Sequence, residues 1–168
     1  MTRTGGTFEK VACTTALPAE RMVRNMAGGK ATKSFLGDFG PDGMVTIDPV
    51  AKEFNFIKLP ARRMAFTREA VLGDFGYVIT EDGQLHKINA LTGRVEASLA
   101  VTERYSMEGG SAVARPRLSA SGDRVIVTDP ARAQIHVVDS AKMQIVHKVA
   151  VPGAPFDVVV VGAAGQNH

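Results

Sequence analysis

The sequence predicts an all-β fold built from a repeated four-stranded antiparallel unit, and three observations carry that expectation. Helical periodicity is nearly absent; short alternating or β-branched runs bounded by Gly, Pro and Asp dominate. MVTIDP (44–49), GYVIT (76–80), DRVIVTDP (123–130), QIHVVD (134–139) and FDVVVVG (156–162) are examples. Three segments, 40–60, 80–101 and 128–151, can be laid over one another, anchored at Ile47-Asp48, Ile88-Asn89 and Val138-Asp139. Their turns carry matching chemistry.

Ile47 to Ile88 is 41 residues and Ile88 to Val138 is 50. Each unit reads as a strand, an Asp/Gly turn, a strand ending in Asp or Asn, a short turn, and a strand ending in Val or Leu, with a fourth strand leading onward. Asp82-Gly83 is a hairpin signal, because glycine adopts positive φ cheaply. Asp48-Pro49, Thr92-Gly93 and Asp139-Ser140 mark the following turn in the three copies, the last through side-chain bonding to the backbone. A period of roughly 40–50 residues with four strands per unit is the signature of β-propeller blades. The expected architecture is a partial β-propeller of about three to four four-stranded antiparallel blades, forming one domain over 1–168. Closed propellers usually hold ~4–8 blades, so the array is expected to be incomplete or to close with another copy, its open edge strands inviting association. PFDVVVVG is expected to be a well-buried strand, its apolar positions Phe156 and Val158 to Val161 leaving little polar face. Only Leu17 to Ala27 could hold a short helix or loop.

The pentapeptide LGDFG occurs twice, at 36–40 and 72–76. On the repeat alignment the copies are not equivalent: the first ends an outgoing strand, and the second lies in the turn before one. Gly73-Asp74 and Gly122-Asp123 are the matching turns. No catalytic or glycine-rich loop accompanies DFG, so it is no kinase signature. Gly28-Gly29-Lys30 is no phosphate loop either, since Arg24 stands where the first glycine belongs and Ala31 where a hydroxyl belongs.

Composition narrows function further. Hydrophobic residues make up 45% and charged residues 22%, ordinary for a globular domain. The net charge is +3 and the basic residues are scattered, only Arg62 and Arg63 being adjacent, so no nucleic-acid partner is expected. Cys13 is the single cysteine, which excludes an intrachain disulfide and a cysteine-based zinc site. No run approaches the ~20 apolar residues of a membrane span, and MTRTGGTFEKVAC has no signal-peptide core.

The third unit, DRVIVTDPARAQIHVVDSAKMQIVHKVAVPGAPFDVVVVG, resembles a YVTN-type propeller repeat. VRNMAGGKATKSFLGDFG, ITEDGQLHKINALTGRVEASLAVTERYSMEG, RPRLSASGDRVIVTDP and PGAPFDVVVVGAAGQNH together resemble the C-terminal part of the AztD-type zinc metallochaperones. The resemblance implies a non-enzymatic periplasmic protein with zinc as its metal. Its partner would be the periplasmic zinc solute-binding protein of an ABC transporter. The family pattern carries a histidine after the SM-acidic-G segment, where this chain reads Gly110-Ser111-Ala112.

Zinc without cysteine takes histidine and carboxylate. His86 and His136 hold the same place in successive units, three residues before Asn89 and Asp139. As residues of equivalent strands they lie in different sheets, packed ~10 Å apart, which argues against one shared ion at bond lengths of ~2 Å. His86 is the better candidate because Glu81 and Asp82 cross its hairpin. Glu108 lies in a Gly-containing inter-strand loop, where binding residues concentrate. The candidate metal residues are therefore His86, His136 and Glu108, against the alternative that the histidines are interblade strand residues and the carboxylates solvated tips. His147 belongs to the third unit and His168 is terminal. A propeller interaction scaffold without a small ligand is the alternative function. An enzyme ranks third: no catalytic constellation is visible, and a quinone-dependent propeller would commonly use tryptophan, which this chain lacks.

Overall fold

The computed structural model describes residues 42–48, 53–66, 75–110 and 112–160, together with the backbone of four short strands nearer the N-terminus. Those strands are β1 (Thr2–Thr4), β2 (Thr7–Glu9), β3 (Met26–Gly28) and β4 (Phe35–Asp38). They are followed by β5 (Gly43–Asp48), β6 (Glu53–Lys58), β7 (Arg63–Phe66), β8 (Phe75–Thr80), β9 (Gln84–Asn89) and β10 (Arg94–Ala100). The last four are β11 (Leu118–Ser121), β12 (Arg124–Asp129), β13 (Gln134–Asp139) and β14 (Gln144–Ala150). A single 3₁₀ turn, Pro130–Arg132, interrupts this all-β order among the described residues.

β1 and β2 pair alone; β3 to β6, β7 to β10 and β11 to β14 form three four-stranded sheets. Every pairing is antiparallel and joins sequence neighbours, which makes each sheet an up-and-down blade. The repeat anchors at Asp48, Asn89 and Asp139 close the third strand of each blade.

The blades stack through the alternation of side chains along a strand. Tyr77, Ile79 and Leu85 of the second sheet pack against Leu118, Val125, Val127 and Val138 of the third. Val78 and Ile88 point the other way, against Met44, Ile57 and Leu59 of the first. Buried on both faces, β8 therefore reads as an almost continuous apolar run. Each such side chain contributes roughly 1.5–3 kcal/mol by leaving water.

The turns repeat with the strands. Asn89 Oδ1 accepts the Leu91 and Thr92 amides at 2.9 and 3.1 Å, and Asp139 Oδ1 accepts those of Ala141 and Lys142 at 3.0 and 2.9 Å. A left-handed residue follows in each, Gly93 at φ 65° and Met143 at φ 51°. The third blade tolerates methionine there because its side chain is buried in the interblade core. The fourth strands β10 and β14 also shift register at the same place, opposite Ile88 and Val138.

Two expectations need correction or limits. Residues 156–160 form no strand: Phe156 is 52% exposed and Val159 71%. They follow β14 as β7 and β11 follow their own preceding blades, so they occupy the place of a next blade's first strand. No described strand hydrogen-bonds to them, and an apolar segment without a ladder cannot be buried. Of the span Leu17 to Ala27, residues 17–25 lie outside the described residues, and Met26 and Ala27 belong to β3. The first LGDFG runs through the end of β4, whereas only Phe75-Gly76 of the second reaches β8.

Substituting the turn glycines separates packing from backbone strain. Gly83 has φ 82° and an added Cβ would collide with the Thr102 carbonyl oxygen, while Gly122 has φ 56° and open space around it. Gly122→Ala is expected to cost about 1 kcal/mol from the left-handed backbone alone. Gly83→Ala adds a backbone clash and is expected to cost about 3 kcal/mol or more; urea denaturation of both variants checks the order.

Candidate functional site

His86 is 2% exposed and sits on β9 opposite Val78 of β8 and Ser98 of β10. Its neighbours fix its chemistry. The Thr80 hydroxyl lies 2.5 Å from Asp82 Oδ1, a carboxylate that can only accept. Thr80 therefore donates to Asp82 and accepts from His86 Nε2–H at 2.9 Å. That leaves His86 Nδ1 as the acceptor of the Ser98 hydroxyl at 2.7 Å. The result is a hydrogen-bonded chain Ser98–His86–Thr80–Asp82 around a neutral imidazole. Burial lowers the His86 pKa, and the Asp82 charge pulls it partly back. Both ring nitrogens are occupied, so a metal ion would have to displace one of these partners.

His136 occupies the equivalent place in the third blade, 1% exposed, opposite Val127. Gln134 Oε1 lies 3.2 Å from its Nε2, and Asp129 Oδ2 lies 4.0 Å away. Burial again lowers its pKa; Asp129 and the nearby Val101 carbonyl oppose that, while Lys148 and Arg132 reinforce it. The Val101 carbonyl faces the ring without a hydrogen bond of good geometry, and Nδ1 has no partner among the described residues. Asp129 also accepts from Arg132 at 3.1 Å, and Arg132 reaches Glu103 at 2.5 Å. His86 shares a face with Val78, toward the first blade; His136 shares one with Val127, toward the second. The structure places the two histidines in different interblade layers.

Glu108 is exposed in the connection from β10 to β11. One side chain organises that loop. Arg115, 8% exposed, donates to the carbonyls of Ser106 at 3.0 Å, Gly110 at 2.7 Å and Glu108. The Ser106 hydroxyl accepts the Glu108 amide at 3.1 Å, and Gly109 and Gly110 supply positive φ of 92° and 70°. Backbone bonds tie the start of the loop to the β8–β9 hairpin: Tyr105 donates to the Glu81 carbonyl at 3.0 Å and Glu81 to that of Arg62 at 2.8 Å. A cleft of about 350 Å³ opens between these segments, lined by residues 104–108 with Arg62 and Glu81. Tyr105 Oη is buried without a hydrogen-bond partner among the described residues. Desolvation first, then Asp82 and Glu81, push its pKa far above the ordinary value, so it remains a donor.

Glu108 and Glu81 thus share a cleft, and His86 lies behind its rim through Thr80 and Asp82. His136 is separate. Among the described residues, no group of three or more His, Cys, Asp or Glu could hold a metal ion. Sequence reasoning missed Thr80, Ser98, Tyr105 and Arg115. The Thr80 and Ser98 roles follow from register, and Tyr105 sits beside the SMEGG segment that drew attention to Glu108.

The fold and these interblade layers define a β-propeller repeat protein, and the WD40 domain of Toxoplasma gondii coronin shows that architecture at 14% identity and TM-score 0.60, over 79% of this chain and 35% of its own. Within that class the chain is similar in sequence and fold to part of AztD. It is 37% identical to the zinc chaperone AztD of Citrobacter koseri over 150 residues, covering 89% of this chain and 36% of that protein. The crystal structure of Citrobacter koseri AztD superposes with TM-score 0.81 at 37% identity, over 93% of this chain and 42% of the other. The chain spans about a third of the length of the curated relative it matches. No family model matches it.

Two outcomes follow from the site. Both buried histidines have lowered pKa values, so the unfolded chain binds protons first as pH drops. Their contribution is fully present above the unfolded value of about 6.5 and is lost as pH falls through the lower folded values. The urea midpoint is expected to be flat from pH 8 to 7 and to fall toward pH 5, with a shallower fall in His86→Gln. Arg115→Lys replaces a planar donor set with a point charge, and is expected to raise amide exchange across residues 106–110 at least tenfold while leaving β12 and β13 protected.

Proposed function

We propose that this chain is part of a zinc chaperone of the periplasm: a non-enzymatic propeller that carries zinc and passes it to the solute-binding protein of an ABC transporter. The observation that carries this reading is the 37% identity with a zinc chaperone across nearly all of the chain. The resemblance supports delivery to an ABC-transporter partner and a periplasmic site of action. No helix among the described residues is long and apolar enough to cross a membrane.

Zinc is cargo here, and a tight protein site needs three or four ligands. In this reading Glu108, with Glu81 beside it, supplies carboxylates at an accessible cleft. Further ligands come from outside the described residues or from the receiving protein. An incomplete set suits a carrier, because a ligand of the acceptor can join before one of the donor leaves. His86 and His136 enter as ligands only if their present partners yield. The two occupied nitrogens of His86 favour, for that residue, the interaction-scaffold reading.

Zinc titration of the purified chain against a competing chelator tests the proposal. Weak, saturable binding that drops at least tenfold in Glu108→Gln, or about 1.4 kcal/mol, is the expected result. Nanomolar stoichiometric binding abolished by His86→Ala would instead move the site into the hairpin. Zinc transfer to the solute-binding protein should run faster than release to the chelator alone; equal rates would remove the delivery step.

A further inference from the structure

We propose that the cleft between the β8–β9 hairpin and residues 104–108 binds a small zwitterion, a molecule carrying a carboxylate and an ammonium a few bonds apart as a free α-amino acid does. This goes beyond the zinc reading and does not require it.

Four observations converge on that ligand. The cleft is lined by two cations, Arg62 and Arg104, and two anions, Glu81 and Glu108. None of the four side chains makes an ion pair or side-chain hydrogen bond with a described residue, although opposite charges share one small space. Asp82 is different, since its carboxylate is already engaged by Thr80. A singly charged ligand satisfies one sign of such a cleft and leaves the other unmet. A zwitterion satisfies both: guanidinium matches carboxylate geometry, and the glutamates suit an ammonium.

The second observation is the Tyr105 hydroxyl, buried and unpartnered among the described residues. A buried donor without an acceptor is costly; the hydroxyl is closed off from solvent, and a ligand carboxylate would relieve it by drawing the Tyr105 side chain toward the opening. Third, the walls are held before any ligand arrives. Backbone bonds join Arg62, Glu81 and Tyr105, and the Arg115 guanidinium holds three loop carbonyls. Preorganisation of this kind reduces the entropic cost of binding. Fourth, the volume of about 350 Å³ falls at the small end of small-molecule sites. Met107 gives it one apolar wall against which an aliphatic side chain fits.

The test is calorimetric titration of the chelator-treated, zinc-free protein with three probes: L-leucine, L-leucinamide, which lacks the carboxylate, and 4-methylpentanoate, which lacks the ammonium. Leucine is expected to bind saturably, each analogue at least about tenfold more weakly. Arg104→Gln should abolish the preference for leucine over leucinamide, and Glu108→Gln its preference over 4-methylpentanoate. Both residues are exposed, so the variants should keep the wild-type circular dichroism spectrum. Tyr105→Phe should weaken leucine severalfold. No saturable leucine binding at about 10 mM, or equal binding of all three probes, overturns the proposal. Leucine binding that appears only after zinc is restored also overturns it, and leaves the zinc reading standing.

Discussion

The two-sided burial of β8 is the constraint on which the rest depends. Tyr77 and Ile79 close one interblade layer, and Val78, one residue away in sequence, closes the other. A one-residue slip would exchange the two faces and expose both sets to the wrong neighbours. Register is thereby fixed in the middle blade, and with it the position of everything on its rim. Tyr77 extends the same logic into polar contacts: its hydroxyl donates to the Ser140 carbonyl at 3.2 Å, which also accepts from Lys87 at 3.1 Å. Lys87 lies over the Phe75 ring at 4.1 Å, so its charge is held at the blade junction. The second and third blades are joined by apolar packing and by this shared acceptor.

The rim inherits that rigidity without sharing its composition. Glu81 follows Thr80 directly at the end of β8, so a strand buried from Gly76 to Thr80 delivers a carboxylate to the cleft within one residue. Gly83 accepts from the Val101 and Thr102 amides at 3.0 and 3.2 Å, tying the hairpin tip to the start of the long connection. Val151 and Ala133 repeat the first of these bonds in the third blade at 2.9 Å. What differs is the chain that follows. After Val101 it forms the Arg115-centred loop; after Val151 it runs into the extended, exposed segment around Phe156. The same supersecondary unit is followed by a built cleft in one place and by an exposed, extended segment in the other.

The architecture was legible in the sequence because it rests on local chemistry repeated at a fixed period. Strand alternation, the turns at Thr92-Gly93 and Asp139-Ser140, and the glycine at Gly83 each announce themselves within a few residues. The burial of PFDVVVVG was misread because hydrophobicity states what a segment prefers, whereas burial needs a neighbouring strand to satisfy its backbone. Glu108 was legible as a loop residue, but its meeting with Glu81 and Arg62 was not, since it depends on how the β10–β11 connection folds back. Arg115 looked like any surface cation in ARPRLSAS, and only its contact with three carbonyls shows that it shapes the loop.

The paired histidines show how far a repeat can mislead about chemistry. His86 and His136 occupy the same register position, yet their surroundings diverge at two neighbours. Thr80, two residues past the strand partner of His86, turns its hydroxyl toward that ring, whereas the same register position in the third blade holds Asp129, whose Oδ2 lies 4.0 Å from His136 Nε2. Opposite the histidine on the fourth strand stands Ser98 in one blade and Lys148 in the other. A hydroxyl serves an imidazole nitrogen; an ammonium does so only by adding a positive charge beside a buried ring. His86 is therefore satisfied at both nitrogens, whereas His136 Nδ1 lacks a well-formed hydrogen bond among the described residues, beside a network of Asp129, Arg132 and Glu103. Equivalence of position fixes which interblade layer a histidine enters, but the two residues that flank it across the sheet decide whether it is locked there as a neutral hydrogen-bonding group or left with a nitrogen to offer.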